Sequence, residues 1–451
     1  MKCFSLFIVL GLCIAMNSVL AIDGQVVDLR LHRAAQSENL ADVEKAIGEG
    51  ADLDVPNVYG ITPLWIACSN GNRDIAVAML KNGADANKEV AGGESPLLTA
   101  ARVGSRPIVE ALIGHGAKLN HTERKGQTAL MWAAAEGNTD VVDALIEAGA
   151  DVHVRTSQGF TANLFAAREG RLEACQRLIE AGVDVNDVMD PKNSSGRNPR
   201  KGTSALMLAV ESGHFELALW LVERGADPND QRSGYTPLHA LTWVRKTDRG
   251  DNVEGDPSPR GSGSVNSLQF VRAIVSAGAD INAKLENGQG GRAKLNRKGA
   301  TPFLMAAKTA DLPLLELLHE LGADPTLTNV DDCNALMAAA GIGVVAVGEE
   351  AGTEPEVIAV MDWLVDLGLD PNHADKNKET AMHGAAYRNY PLAVKKLTEL
   401  GARPDAWNHK NTYGWTPIMV ASGKRPGSFK PSPETIAALQ TAIDASKMRD
   451  N

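Results

Sequence analysis

The sequence contains few cysteines, and their number and spacing exclude one class of fold. Five of the 451 residues are cysteine, and Cys3 and Cys13 fall within the N-terminal apolar stretch. The other three, Cys68, Cys175 and Cys333, are an odd and widely spaced set, which is not a disulfide framework. We therefore expect these three thiols to stay unpaired.

Motifs that carry catalytic or metal chemistry are also missing. The sequence has no HExxH zinc pair, no P-loop, no GxSxG elbow and no CxxC pair. Residues 341–346 read GIGVVA and resemble a dinucleotide-binding GxGxxA only weakly, because they follow an Ala-rich helical segment instead of a strand. We expect no catalytic residues, no bound metal and no cofactor.

The first 21 residues have the composition of an export signal. Lys2 precedes an apolar run at residues 4–16, and residues 19–21 place small side chains at a cleavage site. The run is shorter than the ~20 residues that span a membrane. A lipid anchor at Cys13 is the competing interpretation, although Leu12 is larger than the residue that should precede a lipidated cysteine. We predict a cleaved signal peptide (residues 1–21) and a periplasmic or secreted mature protein.

Basic side chains are outnumbered by acidic ones, 45 Lys and Arg against 56 Asp and Glu, which gives a formal charge of -11. Loss of Lys2 with the signal changes this charge to -12. Nucleic acids and anionic membranes attract basic surfaces, so an acidic chain is a poor nonspecific ligand for either. We expect no nucleic-acid partner and no membrane span.

A glycine pattern repeats through the mature chain. The interval from a turn glycine to the glycine of a later GAD-like motif is 23 residues, and the commonest interval to the next turn glycine is 10, so the period is 33. Thr62 suits a helix N-cap and Pro63 the first helical position. An Ala-rich helix and a second helix follow, and a glycine such as Gly149 ends the second helix. The 23-residue intervals start at Gly60, Gly93, Gly126, Gly159, Gly202 and Gly299.

Residues 236–240 (TPLHA), 225–229 (GADPN) and 278–282 (GADIN) resemble the motifs of the ankyrin-repeat family. The resemblance implies an α solenoid in which each repeat is a helix-turn-helix plus a β-hairpin finger, with about eleven stacked repeats. It also implies an N-terminal capping repeat at residues 22–58, central repeats at 59–410 and a C-terminal capping repeat at 411–451. Four residues depart from the pattern: Asn163 replaces a Leu, and Ala310, Asp332 and Lys378 replace glycines.

Four insertions interrupt the period, near residues 189–198, 244–266, 285–295 and 343–356. The first and third lengthen fingers, and the second and fourth separate the two helices of a repeat. Their Gly, Pro and Ser content predicts surface loops. Loops on a rigid scaffold often determine binding specificity, although tolerated drift is the alternative explanation.

The histidines do not form a metal site in the sequence. His32, His239 and His383 occupy one equivalent position, where the resemblance implies that the ring supports a turn by hydrogen bonding. His115 and His121 flank a turn, and no third ligand is evident. We expect the three histidines at the repeat position to be structural.

The finger and inner-helix positions form the predicted binding face. They are basic on an acidic chain, and aromatic residues lie among the cations, which is typical of an interface core. Acidic residues nearby dilute this patch, and solvated turns are the alternative explanation. The predicted partner-binding residues are Arg102, Arg124, Lys125, Phe160, Arg168, Arg200, Lys201, Arg232, Tyr235, Trp243, Arg297 and Lys298, and the same positions include Lys308, Lys376 and Trp415.

These observations predict an exported scaffold that binds a protein partner with an acidic surface and catalyses nothing itself. The resemblance to exported bacterial ankyrin proteins implies an accessory subunit or assembly factor in the periplasm. One alternative is an enzyme or ligand-binding protein with a site in the long inserted loops. A second alternative is a secreted effector that acts on a host protein.

Overall fold

The computed structural model describes residues 19–22, 25–192, 200–247, 253–254, 257–292, 294–425 and 430–449. The chain divides into two compact units. Unit 1 comprises Met1–Ala166 and Arg171–Val183, and unit 2 comprises Ala167–Gly170 and Asp184–Asn451. Within the described ranges, no helix is both long enough and apolar enough to cross a membrane.

The described part of unit 1 contains a β-hairpin followed by five pairs of helices. Strands β1 (Val19–Ile22) and β2 (Gln25–Asp28) are antiparallel, so the predicted cleavage site after Ala21 lies within β1. Residues 1–18 of the predicted signal lie outside the described residues. The helices are α1 (Arg30–Gln36), α2 (Leu40–Gly48), α3 (Pro63–Ser69), α4 (Arg73–Lys81), α5 (Pro96–Val103), α6 (Arg106–Gly114), α7 (Ala129–Glu136), α8 (Thr139–Glu147), α9 (Ala162–Arg168, which ends in residues assigned to unit 2) and α10 (Leu172–Glu180).

The described part of unit 2 contains six further helix pairs and the short helix α21. The helices are α11 (Ala205–Glu211), α12 (Phe215–Glu223), α13 (Pro237–Arg245), α14 (Ser267–Ser276), α15 (Pro302–Lys308), α16 (Leu312–Glu320), α17 (Ala335–Ala340), α18 (Glu354–Asp366), α19 (Ala381–Arg388), α20 (Pro391–Glu399), α21 (Pro404–Trp407), α22 (Pro417–Ala421) and α23 (Pro433–Arg449).

Each unit is an α-helical solenoid in which first helices stack on first helices and second helices on second helices. In unit 1 the series are α1, α3, α5, α7 and α2, α4, α6, α8, α10. In unit 2 they are α11, α13, α15, α17, α19, α22 and α12, α14, α16, α18, α20, α23. Small side chains such as Ala133 and Ala134, both fully buried, allow the first helices to approach closely.

The helix starts follow the sequence prediction. The Thr62 hydroxyl accepts a hydrogen bond from Trp65 N–H at 3.2 Å, and Pro63 occupies the first helical position, where its missing N–H leaves no donor unsatisfied. The same arrangement recurs at Thr236 before α13 and at Thr301 before α15. The Thr-Pro pair is therefore the local signal that begins a repeat.

Asparagines next to the GAD-like motifs join consecutive repeats. Asn87 Nδ2 donates to Gly116 O at 2.9 Å, and Lys118 N–H donates to Asn87 Oδ1 at 2.8 Å. Asn229 in unit 2 makes the same pair of bonds with Gly278 O and Asp280 N–H. Each clamp satisfies backbone groups that follow the end of a second helix.

The three residues that replace glycines of the repeat pattern keep the backbone conformation that glycine adopts there. The φ angles of Ala310, Asp332 and Lys378 are 52°, 66° and 60°, in the left-handed region that L-residues rarely adopt. Each substitution costs on the order of 1–2 kcal/mol of backbone strain relative to glycine. The stacking of the repeats on either side overrides this local cost.

The fingers contain turns in place of extended hairpin strands. Among the described residues, isolated bridges join Val188 to Ser204 and Gly291 to Lys294, both in lengthened fingers. A side chain closes many of the turns, as where Asp375 Oδ1 accepts from Asn377 N–H and Glu379 N–H. Residues 193–198 of the first insertion and residue 293 of the third lie outside the described residues.

The insertion predicted at residues 343–356 differs from a simple surface loop. Helix α18 begins at Glu354, so the loop segment covers residues 341–353. Val344 and Ala351 are buried, and Tyr390 Oη donates to Gly352 O at 2.7 Å. The loop segment folds back onto the stack because its apolar residues and a buried ion pair hold it there.

The described residues of the finger segment (285–292 and 294–297) also pack against other parts of unit 2. Leu295 is buried, Asn329 Nδ2 donates to Asn296 O at 2.7 Å, and Tyr413 Oη donates to Gly291 O at 3.3 Å. In the remaining insertion, between α13 and α14, residues 248–252 and 255–256 lie outside the described residues, and Ser262 N–H donates to His214 Nδ1 at 2.8 Å.

Candidate functional site

The cations predicted at the fingers are exposed. Their exposure keeps them accessible to a partner, and several also have acidic neighbours. Lys201 lies 3.0 Å from Asp190, and Arg200 lies 3.3 Å from Glu211. The exposed finger cations are Arg124, Lys125, Arg200, Lys201, Arg232, Arg297, Lys298 and Lys376.

The predicted inner-helix cations are less accessible. Arg102 is half-buried, forms a 2.9 Å ion pair with Glu94 and lies 5.6 Å from the ring centre of Trp132. Arg168 forms a 3.0 Å ion pair with its neighbour Glu169. These acids reduce the positive charge that the sequence pattern assigned to this face.

Three residues of the predicted face are buried, which corrects their prediction as exposed positions. Phe160 packs on Phe165 with ring centres 4.8 Å apart, because the turn directs its side chain into the stack. Tyr235 is 9% exposed. Lys308 is 6% exposed and lies 3.4 Å from Glu350, which the loop segment places beside it.

Tyr235 belongs to a cluster of side chains that includes Glu211, which is not among the predicted binding residues. Arg200 lies 4.5 Å from the centre of the Tyr235 ring, and Trp243 meets the same ring edge-on at 4.8 Å. Tyr235 Oη donates to the Glu211 carboxylate. Burial raises the pKa of Glu211, and the charge of Arg200 partly opposes this rise. The cluster therefore fixes Arg200 and Trp243 in place.

Arg232 is exposed but already paired. Its guanidinium binds Asp230 through Nε at 2.8 Å and through the terminal Nη2 at 3.0 Å. Burial alone would raise the pKa of Asp230, but the hydrogen bonds and charge of Arg232 lower it. Arg232 therefore stabilises its own finger.

A cleft lies in unit 2 between the fingers and the inserted segments. One chamber of about 670 Å³ is lined by Arg200, Tyr235, Trp243, Leu285 and Arg297, among others. A second chamber of about 410 Å³ has a different wall and shares only Arg297 with the first. Its lining residues are Gln289, Lys294, Leu295, Arg297, Lys308, Gly343, Val345 and Glu350.

The remaining predicted residues do not extend this cleft. Trp415 is half-buried and stacks obliquely on Tyr413 at 5.5 Å, and Lys376 Nζ donates to Val330 O at 2.7 Å. Phe160 and Arg102 lie in unit 1. The structure thus brings together Arg200, Tyr235, Trp243 and Arg297 at the larger chamber and places Lys308 in the wall of the smaller one.

Two of the three repeat-position histidines, His32 and His239, support a turn by contacting a backbone carbonyl, as the sequence predicts. His32 Nε2 lies 2.9 Å from Ile61 O. His239 Nε2 donates to Ala300 O at 3.1 Å, and burial lowers the pKa of His239 to about 4. His115 and His121 contact backbone carbonyls, and the residues that the structure describes contain no group of three or more metal-ligating side chains.

Comparison with protein families identifies the repeats. The profile described as "Ankyrin repeats (3 copies)" matches residues 31–123 and 116–189. A second profile, "Ankyrin repeats (many copies)", matches residues 206–243.

Individual relatives share parts of the chain. Glycerophosphocholine phosphodiesterase gde1 of Schizosaccharomyces pombe is 41% identical over 14% of this chain and 5% of its own length. Palmitoyltransferase AKR1 of Lachancea kluyveri is 30% identical over 37% of this chain and 20% of its own length. A Caenorhabditis elegans homolog of transient receptor potential cation channel subfamily A member 1 is 29% identical over 39% of this chain and 12% of its own length. The chain therefore spans a fifth or less of each of these relatives.

These matches correct the prediction that the chain is not an enzyme. Two of the similar proteins are palmitoyltransferases and another is a phosphodiesterase, so the matching sequence occurs in enzymes. The prediction rested on missing motifs and on the repeat pattern. Since enzymes share the repeat pattern, the pattern does not separate a binding protein from an enzyme.

Proposed function

Because this chain belongs to the ankyrin-repeat family, whose repeats form a protein-interaction scaffold, we propose that it is exported and binds a protein partner through its finger positions. The observation that supports this best is the exposure of basic fingers on an acidic chain. Eight finger cations are exposed, whereas the formal charge of the whole chain is -11. A partner with an acidic surface would be attracted to these fingers and repelled elsewhere.

The accessible finger cations define the proposed interface. In unit 1 they are Arg124 and Lys125, and in unit 2 Lys201, Arg297 and Lys298. Rim charges of this kind mainly accelerate association and select the partner, while buried anchors supply most of the affinity. Trp243, half-buried beside Tyr235, is the anchor that this surface offers.

The proposed location is the periplasm, or the medium after secretion, and the proposed role is that of an accessory subunit or assembly factor. Support for export comes from the basic residue, apolar run and small residues at 1–21. N-terminal sequencing of the protein purified from its native host should begin at Ile22. A sequence that begins at Met1 or Lys2 would contradict export by cleavage.

Site-specific photo-crosslinking tests the interface. A photoreactive residue at Lys125 in unit 1 and, in a separate experiment, at Lys298 in unit 2 should each capture a protein partner in native extract. The matched control is Glu173 on the second helix α10, which is also exposed and lies outside the fingers. Equal capture from Glu173 would show that the contact is not specific to the fingers.

A further inference from the structure

The larger chamber of the cleft lies beside two positions of the proposed interface. Its walls come from three neighbouring fingers of unit 2 and from the end of helix α13, where Trp243 lies. Lys201 and Lys298 directly follow the lining residues Arg200 and Arg297 in the sequence, and both lysines are exposed. The chamber is therefore continuous with the surface through which we propose that the protein binds its partner.

The inner wall of this chamber is a fixed aromatic surface. The Tyr235 ring has Arg200 4.5 Å from its centre and Trp243 edge-on at 4.8 Å, and its hydroxyl donates to Glu211. Trp243 is half-buried, whereas Tyr235 is only 9% exposed, so Trp243 is the more accessible of the two rings. A ring that is held in place before binding loses little entropy when a partner contacts it.

The outer wall is the finger segment, which packs tightly against the base of its own finger. Leu285 N–H donates to Ala300 O at 3.0 Å, and Gly299 N–H donates to Leu285 O at 2.7 Å. A Cβ added to Gly288 would lie 2.2 Å from Lys298 N, so this position has no room for a side chain. The apolar side chain of Leu285 is thereby fixed in the wall opposite the fingers.

We infer that the protein partner inserts one aromatic side chain into the larger chamber and packs it against Trp243. This inference rests on the proposed function, because it requires a protein partner that binds the fingers. Aromatic residues supply much of the affinity of protein interfaces when they fill pockets, and such anchors tend to meet anchors on the other protein. The chamber volume of about 670 Å³ lies within the range of ordinary binding pockets, roughly 300–1,000 Å³.

The shape of the chamber favours a projecting loop of the partner over a helix. Asn329 Nδ2 donates to Asn296 O at 2.7 Å, and Tyr413 Oη donates to Gly291 O at 3.3 Å, so the finger segment is held in place. A helix laid along the fingers would have to displace this segment. One side chain on a loop enters the chamber without that cost, and acidic residues beside it would lie near the exposed lysines.

A cyclic peptide tests the inference on the full chain. The probe is a disulfide-closed, fluorescently labelled octapeptide with one Trp between two Glu residues, and its binding is measured by fluorescence anisotropy. We expect saturable binding, and replacement of the peptide's Trp by Ala should weaken it by about tenfold or more. N-acetyltryptophanamide should compete more weakly than the unlabelled peptide, because it lacks the acidic residues that approach the lysines.

A pair of tryptophan variants locates the contact. Trp243→Ala should weaken binding of the octapeptide by about tenfold or more, as expected for an anchor residue. Trp132→Ala is the matched control, because Trp132 is also half-buried on a first helix, α7, but lies in unit 1. Its effect should stay within about twofold.

A pair of glycine variants tests the outer wall without removing any side chain. Gly288→Ala should weaken binding by about fivefold or more, because the added methyl group collides with the backbone and displaces the wall. Gly291→Ala is its control, since a Cβ there would lie 3.9 Å from Lys294 Cδ, an ordinary contact. Both positions are exposed, so both variants should fold even if Trp243→Ala does not.

Three results would overturn the inference. They are no binding of the octapeptide up to about 1 mM, equal binding of the Trp and Ala peptides, and equal effects of Trp243→Ala and Trp132→Ala. Binding of N-acetyltryptophanamide as tight as that of the octapeptide would also overturn it and would assign the chamber to a small molecule. Each of these results would leave capture of a partner at Lys125 unaffected, whereas loss of that capture would contradict the proposed function itself.

Discussion

Lys308 and Glu350 form a buried ion pair, with Nζ 3.4 Å from Oε2 and side chains that are 7% and 4% exposed. Lys308 ends helix α15, and Glu350 lies in the loop segment 42 residues later. The same carboxylate accepts two backbone hydrogen bonds from its own loop. This relationship attaches the insertion to the repeat stack.

Glu350→Gln should lower the free energy of unfolding by about 3 kcal/mol, because it leaves Lys308 buried without its charge partner. Urea unfolding measures the loss. Asp190→Asn is the control, since it breaks the exposed pair with Lys201 and should cost less than about 1 kcal/mol. Adding Lys308→Met to Glu350→Gln should recover part of the loss, and equal costs for Glu350→Gln and Asp190→Asn would contradict the buried pair.

Asn163→Leu should stabilise the protein by about 2 kcal/mol. Asn163 is fully buried, and neither its Nδ2 nor its Oδ1 has a hydrogen-bond partner in the structure, which is costly. The comparison variant is Asn334→Leu, which removes the Oδ1 that accepts from Met337 N–H at the start of α17 and should cost about 1 kcal/mol. A destabilised Asn163→Leu protein would show that the amide has a partner.

The carboxyl group of Glu379 makes the stability of the protein depend on pH. Burial, together with the charge of Asp375, raises its pKa from 4.5 to about 7, despite hydrogen bonds from Tyr387 and Asn411 that lower it. Because the folded-state pKa lies above the unfolded value, its contribution to stability is fully present below pH 4.5 and is lost as the pH rises to 7.

Glu379→Gln removes this titration and keeps an oxygen acceptor for Tyr387 and Asn411. Between pH 4.5 and 7 the wild type should lose up to roughly 3 kcal/mol of stability relative to the variant. Burial also raises the pKa of Asp375, but this group titrates in both proteins and largely cancels in the difference. Parallel pH profiles for the two proteins would contradict the raised pKa of Glu379.

Thiol counting in denaturant should find three free sulfhydryls in the mature protein. Cys68, Cys175 and Cys333 are buried, and burial raises the pKa of each thiol, so all three should react slowly in the folded state. A count of one thiol would mean that two of them are paired and that the repeat register is wrong.

The repeating part of the fold could be predicted because its signals are local. A Thr-Pro pair begins a first helix at Thr62 and Thr236, and the positions of Ala310 and Asp332 keep the glycine conformation although the residue has changed. The 33-residue period repeats these signals many times. Each repeat therefore supports the assignment of the next.

The cleft could be predicted only in part, because its contacts join residues far apart in sequence. The pattern placed Arg200, Tyr235, Trp243 and Arg297 on one face, and the structure brings them to one chamber. No local pattern indicates that a loop 42 residues away would bury Lys308. The burial of such a residue depends on how an insertion folds back, and the sequence periodicity carries no information on that.

One binding assay can compare a variant with reversed charges on the basic fingers and a variant with a cavity in the hydrophobic core. Arg200 is omitted from the reversed set because it holds Glu211 and stacks on Tyr235. The core control is Leu130→Ala, which leaves a cavity at a buried position and should cost about 2–5 kcal/mol. The reversed positions are Arg124, Lys125, Lys201, Arg297 and Lys298.

The most direct measurement compares the wild type with a variant in which these five residues are all replaced by Glu. The affinity of each protein for the partner captured at Lys125 is measured over a range of salt concentrations. Each exposed substitution changes stability by only about 0.5 kcal/mol, so the melting temperature should change little. The variant should associate more slowly and bind more weakly at low salt, and the wild-type affinity should fall as salt rises. Binding by the variant that equals the wild type at low salt would contradict the proposed finger interface.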